Sequence, residues 1–210
     1  MPRVVLLGDS IFDNAAYVAG GPAVVQQLRA GLPVGWEAIL RAVDGAVTTD
    51  VPRQLQGLPH QSTLMVSIGS NDALGWSDIL DQRVHASAEA LNMLADIRDQ
   101  FAADYQEILR AVLHEERLTA LCIIYYPRFP DPVLQRLAVT ALTIFNDCIL
   151  THAFAAGLPV LDLRLICHED ADYANPIEPS VHGGAKIAAA IIRLLAEHDF
   201  TRRRTEVYIR

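Results

Sequence analysis

Apolar residues along this chain fall into two alternating patterns. Short continuous blocks at residues 4–7, 38–43, 64–68, 121–126 and 159–163 read as strands buried on both faces. Between them, apolar residues recur at spacings of three and four. Leu91, Leu94, Ile97, Phe101, Tyr105, Ile108 and Val112 make one stripe, predicting a helix over about 84–118. Further helices are predicted over 133–156 and 185–197. No repeat, linker or low-complexity segment interrupts the alternation. Strands alternating with helices imply an α/β fold with a doubly wound, five-stranded parallel sheet. Such sheets bind ligands beyond the carboxyl ends of their strands, near the point where strand order reverses. The chemistry of this chain is therefore expected at its strand ends.

Composition narrows the picture. The 210 residues suit a single domain, 1–210, with about 200–210 as a basic tail. A formal charge of −8 disfavours nucleic acid or an anionic membrane as the main partner. Arg202, Arg203 and Arg204 form a lone basic cluster, expected to be a solvated end. No apolar run is expected to reach the roughly 18 residues of a membrane span. Arg3-Val4 lead straight into a strand without a signal-peptide pattern, which points to the cytoplasm. Cys122, Cys148 and Cys167 are odd in number and lack Cys-x-x-Cys spacing, so they read as buried free thiols. Nothing in composition bears on a homo-oligomer, which stays open.

Three strand ends are chemically unusual. The first carries Gly8-Asp9-Ser10, which puts a hydroxyl at the sheet rim where a nucleophile is useful; the same residues would also serve as a helix cap. The second gives Asp44-Gly45-Ala46, where a glycine lets the backbone approach a ligand. The third gives Gly69-Ser70-Asn71-Asp72, whose asparagine can aim an amide into the rim. The N–H groups of Ser10 and Gly45, with the Asn71 side chain, have the composition of an oxyanion hole. Asp9, Asp13 and Tyr17 lie close to the serine and would shape a substrate mouth, with Trp76 as a lip residue. Ordinary packing is the competing role for these four.

Gly8-Asp9-Ser10, Gly45 and Gly69-Ser70-Asn71-Asp72 together resemble the first three sequence blocks of the GDSL/SGNH hydrolase family. That resemblance implies a flavodoxin-like three-layer α/β/α sandwich and serine esterase, lipase or acyl-transfer chemistry. It makes Ser10 the nucleophile, with Gly45 and Asn71 completing the oxyanion hole. The family's last block has an aspartate three residues before its catalytic histidine. Here the text is Asn175-Pro176-Ile177-Glu178-Pro179-Ser180-Val181-His182, so Glu178 stands at the histidine position and Asn175 at the aspartate.

Three readings of this departure stay open. Glu178 can act as base toward Ser10 if burial raises its pKa from about 4.3. His182 can fold back onto Ser10 with Glu178 orienting its ring, although Ser180 is a natural N-cap that places His182 in a first helical turn. Or the chain is a catalytically weakened protein that binds a ligand without turnover. The expected partner is a small-molecule ester, acyl or acetyl, and the scheme needs no metal or organic cofactor. His168, Glu169, Asp170 and Asp172 form a polar cluster, expected to be a solvated loop rather than a metal site.

Overall fold

The chain, described over residues 1–209 in a computed structural model, is an α/β sandwich. Its elements in order are β1 (Arg3–Gly8), α1 (Val24–Gly31), β2 (Glu37–Leu40), α2 (Val51–Gln54), β3 (Ser62–Ser67), α3 (Ser70–Gly75) and α4 (Ser87–His114). There follow β4 (Leu118–Ile123), α5 (Pro132–Ala156), β5 (Val160–Asp162), α6 (Leu163–Ile166), β6 (Tyr173–Asn175), β7 (Glu178–Pro179), α7 (Val181–Glu197) and β8 (Val207–Tyr208).

The main sheet has the order β2-β1-β3-β4-β5-β8, and each neighbouring pair is parallel. Side chains alternate across it with period two. Val4 and Leu6 of β1 join a core closed by α1 and α7, whereas Val5 and Leu7 join a second core closed by α4 and α5. Strand order reverses between β1 and β3, so their carboxyl ends flank the crevice where such sheets bind ligands. Gly8-Asp9-Ser10 leaves β1 there, and Gly69-Ser70-Asn71 leaves β3 beside it.

Three expectations need correction. The sheet has six strands, not five, and the sixth lies in the segment expected to be a free basic tail. Val207 and Tyr208 pair with Val160 and Leu161, and Val160 N–H donates to the Glu206 carbonyl at 2.8 Å. Two residues are too few to carry a strand period, which hid β8 in the sequence. The helix expected over 84–118 ends at His114, because Glu116 turns the chain at φ 54° and β4 starts at Leu118. Finally, α5 is by length and composition apolar enough to cross a membrane, although no such run was expected. Its inner face is committed to the domain. Buried Asn146 accepts from Ile124 N–H and donates to the Ile124 carbonyl, both at 2.8 Å. Cys122, Cys148 and Cys167 are buried and free.

Candidate active site

Ser10 follows β1 in a turn held by Asp9. The Asp9 carbonyl accepts from Phe12 and Asp13 N–H, and its carboxylate accepts from Ile11 N–H at 3.1 Å and Ser70 Oγ at 2.5 Å. Gly8 makes this turn possible. Its φ is +128°, and a Cβ on it would lie 1.7 Å from the Ser67 carbonyl oxygen, so only glycine lets β1 pass β3 this closely. Asp9 is 1% exposed. It therefore braces the turn from beneath and does not reach a substrate mouth, which corrects the sequence reading. Burial pushes its carboxyl up to about 7.

The second and third strand ends are tied together. Asn71 Nδ2 donates to the Ala46 carbonyl at 2.9 Å, and Asp72 accepts from Thr48 Oγ1 at 2.6 Å and from Thr48 N–H. The loop carrying Gly45, whose φ is +79°, is thereby anchored to the start of α3. One proton of the Asn71 amide is used in this anchor, leaving the other for a bound group.

Glu178 reaches Ser10. The Ser10 hydroxyl donates to Glu178 Oε1 at 2.9 Å, and both residues are buried. Glu178 Oε2 is buried without a hydrogen-bond partner. Burial is the main cause that pushes the Glu178 carboxyl up to about 7; the Ser10 hydrogen bond opposes it. The residue sits in the β6–β7 hairpin, whose turn is closed by Asn175 Oδ1 accepting from Ile177 and Glu178 N–H. Asn14 stitches hairpin to nucleophile turn, donating from Nδ2 to the Pro179 carbonyl at 3.1 Å.

His182 lies elsewhere, contrary to the reading in which Glu178 orients it. Ser180 Oγ accepts from His182 and Gly183 N–H, so His182 opens α7. Its ring is half exposed, with Nε2 3.6 Å from Glu169 Oε2 and 3.7 Å from Asp172 Oδ1. Lys186 Nζ joins this cluster, 2.7 Å from Glu169 Oε2 and 2.8 Å from Asp172 Oδ1. Glu169, Asp172 and His182 have metal-ligand atoms near one another, but the Lys186 ammonium already supplies their positive charge. Asp172 is buried, so this segment is a built structural feature rather than the solvated loop expected.

Ser10, Asn71, Trp76 and Glu178 line a cavity of about 150 Å³ whose remaining wall is largely apolar, including Leu94, Ile97, Leu134 and Phe145. Asp13 and Tyr17 are outside this lining and interact with the Gly45 loop. Asp13 Oδ2 accepts from Asp44 N–H at 3.0 Å, and Tyr17 Oη donates to Asp44 Oδ2 at 2.8 Å. Sequence reasoning missed Gln54 altogether. Its side chain accepts from Gly8 N–H at 2.7 Å and donates to the Gly8 carbonyl at 2.8 Å. A glutamine inside a four-residue helix carries no sequence signal for such a clamp.

The domain is thus an α/β sandwich with a serine at the switch point of its parallel sheet, beside two loops tied together through Asn71 and Asp72. The chain matches the GDSL-like lipase/acylhydrolase family over residues 6–190, and it belongs to that family of ester hydrolases. The fold is shared with a lipolytic protein of the G-D-S-L family from Veillonella parvula DSM 2008, at TM-score 0.67 and 12% identity, covering 94% of this chain and 100% of that one. An extracellular lipase from Streptomyces rimosus matches at TM-score 0.62 and 20% identity, over 95% of this chain and 100% of its own. An aryl esterase from M. smegmatis matches at TM-score 0.64 and 14% identity, over 93% and 99%. No curated protein matches the chain in sequence.

Proposed function

We propose that the chain hydrolyses carboxylic esters through a Ser10–Glu178 pair. The observation that carries this reading is the 2.9 Å hydrogen bond from Ser10 Oγ to Glu178 Oε1 on the wall of the cavity. With its carboxyl pushed up to about 7, Glu178 has the basicity of an imidazole, whose ordinary pKa is about 6.5. Burial thus supplies what the missing histidine would have supplied.

Ser10 Oγ attacks the ester carbonyl carbon while its proton passes to Glu178 Oε1. The N–H groups of Ser10 and Gly45 and the Asn71 amide stabilise the oxyanion. Glu178 then returns the proton to the departing alkoxide. Water then attacks the acyl carbon as Glu178 takes its proton, the bond from that carbon to Ser10 Oγ breaks, and Glu178 returns the proton to Ser10 Oγ as the carboxylic acid leaves. An imidazole becomes positively charged on taking the proton and needs a carboxylate behind it. A glutamate becomes neutral, so no such partner is required. This is consistent with Asn175, at the position of the family's aspartate, serving backbone N–H groups instead. The apolar wall suits the hydrocarbon part of a small acyl ester.

The test is labelling with a fluorophosphonate and turnover of p-nitrophenyl acetate and butyrate by wild type, Ser10→Ala, Glu178→Gln and His182→Ala. Ser10→Ala and Glu178→Gln should each lose turnover about a thousandfold, as expected for members of a catalytic unit. His182→Ala should stay within about threefold, since its contacts are to Glu169 and Asp172. A wild type that neither labels nor exceeds Ser10→Ala would overturn the proposal and leave a ligand-binding protein.

A further inference from the structure

Glu178 meets Ser10 only while its hairpin is seated, and one peptide plane fixes that seat. The amide joining Ile177 to Glu178 is pinned at both ends. Asn175 Oδ1 accepts from its N–H at 3.0 Å, and its carbonyl accepts from Tyr125 Oη at 2.6 Å. The first bond lies within the hairpin and travels with it; the second ties the hairpin to the body of the domain. Tyr125 is 4% exposed and lines the cavity together with Ser10 and Glu178.

The chain around Tyr125 is itself held by α5. Asn146 takes both backbone groups of Ile124, and Gln135 accepts from Phe129 N–H at 2.8 Å and donates to the Pro127 carbonyl at 2.7 Å. From this fixed segment two further bonds reach the hairpin. Arg128 N–H donates to the Pro176 carbonyl at 2.7 Å, and the Tyr126 carbonyl accepts from Tyr173 Oη at 2.8 Å. Both end at residues that do not adjoin Glu178. Among these contacts, only the Tyr125 hydroxyl reaches the carbonyl next to it.

We propose that Tyr125 is a positioning residue for the Ser10–Glu178 pair, its hydroxyl seating the β6–β7 hairpin so that the Glu178 carboxylate stays packed against Ser10 and shielded from water. The proposal rests on the hydrolase reading for its effect on turnover, whereas the seating of Glu178 is a property of the folded chain.

Glu178 Oε2 is buried without a partner, so its desolvation depends on that seat. The acidic groups facing Glu178 are Asp44 of the Gly45 loop and Asp9 of the nucleophile turn, and the phenols of Tyr17 and Tyr125 face it too. Arg128, the cation of the 124–129 segment, is turned to the His168 carbonyl and the Tyr173 ring. Burial keeps the Tyr125 phenol well above its ordinary range, so Tyr125→Phe exchanges one neutral group for another. The ring keeps its edge-on packing against Tyr173, with centroids 5.2 Å apart. A changed Glu178 titration in this variant therefore reports the loss of the seat.

The experiment follows the Glu178 carboxyl by carbon NMR of isotope-labelled glutamate, assigned by its loss in Glu178→Gln. Alongside it, kcat and KM on p-nitrophenyl acetate are measured against pH in wild type and Tyr125→Phe. The substitution should lower the Glu178 midpoint by about one pH unit, toward the ordinary 4.5, as water gains the carboxylate. The kcat/KM profile should move with it, and the plateau kcat should fall about tenfold while KM stays within about twofold. An unmoved or raised Glu178 midpoint, or a wild-type midpoint already near 4.5, would overturn the proposal. A lowered melting temperature with the midpoint unmoved would overturn it too, leaving Tyr125 a packing residue. So would a loss carried by KM alone, which would assign Tyr125 to substrate binding. A lowered carboxyl midpoint in the variant, with no turnover by the wild type, would support the positioning while refuting the hydrolase reading.

Discussion

At the scale of single residues, the proposed mechanism turns on one exchange of chemistry. It gives Glu178 the role of a histidine base, and burial pushes the Glu178 carboxyl up to about 7. A base must be deprotonated to act, so turnover should rise as pH increases through about 7 and level off above it. The pH dependence of kcat/KM on p-nitrophenyl acetate checks this; a rate already level at pH 5 would contradict it. Ser10 and Glu178 were both legible as candidates, since motif spacing singles out the serine and its misalignment singles out the glutamate. What the sequence left open was which of Glu178 and His182 meets Ser10. That choice depends on Ser180 capping α7 and on a hairpin with arms of three and two residues, details that side-chain spacing alone does not encode. Asp9 misled for a related reason: adjacency to the serine suggested the mouth, whereas the turn directs its carboxylate inward onto Ser70.

At the scale of elements, two buried carboxamides hold the carboxyl ends of strands. Gln54 from α2 clamps both backbone groups of Gly8, and Asn146 from α5 clamps both of Ile124, just past β4. Asn146 thereby satisfies a donor and an acceptor past the end of β4, and Gln54 satisfies the Gly8 N–H and shares the Gly8 carbonyl with Val43 N–H. Gln54→Leu would leave the Gly8 N–H buried without a partner, while its carbonyl keeps the Val43 N–H, costing about 2 kcal/mol. Urea denaturation should show that loss, accompanied by reduced turnover because Gly8 precedes the Ser10 turn. The long elements were legible from periodicity, because burial on both sheet faces demands unbroken apolar blocks. The short ones were not. Neither α2 nor the two-residue β8 is long enough to display a period, and both exist through tertiary contacts.

At the scale of the whole molecule, the pair of buried carboxyls sets a pH dependence of stability. Asp9 and Glu178 both have folded-state values near 7, above their ordinary 3.8 and 4.5. Between those limits the folded chain holds protons that the unfolded chain has released. Stability is therefore lost as pH rises from about 4 to 7 and levels off above that, on the order of several kcal/mol. Thermal unfolding should show a falling melting temperature over that range, and Glu178→Gln should flatten part of the slope. The same pair has an electrostatic consequence. Attack assisted by an imidazole creates a positive and a negative charge where there were none. With Glu178 as base, one negative charge instead migrates a few ångströms, from a carboxylate to an oxyanion, and the site's total charge never changes. A protein of net charge −8 then does little work on the step, because its field acts only through the difference between two neighbouring points. Salt, which screens fields beyond about 10 Å at 0.1 M, should leave kcat on an uncharged ester within about twofold from 10 mM to 0.5 M sodium chloride.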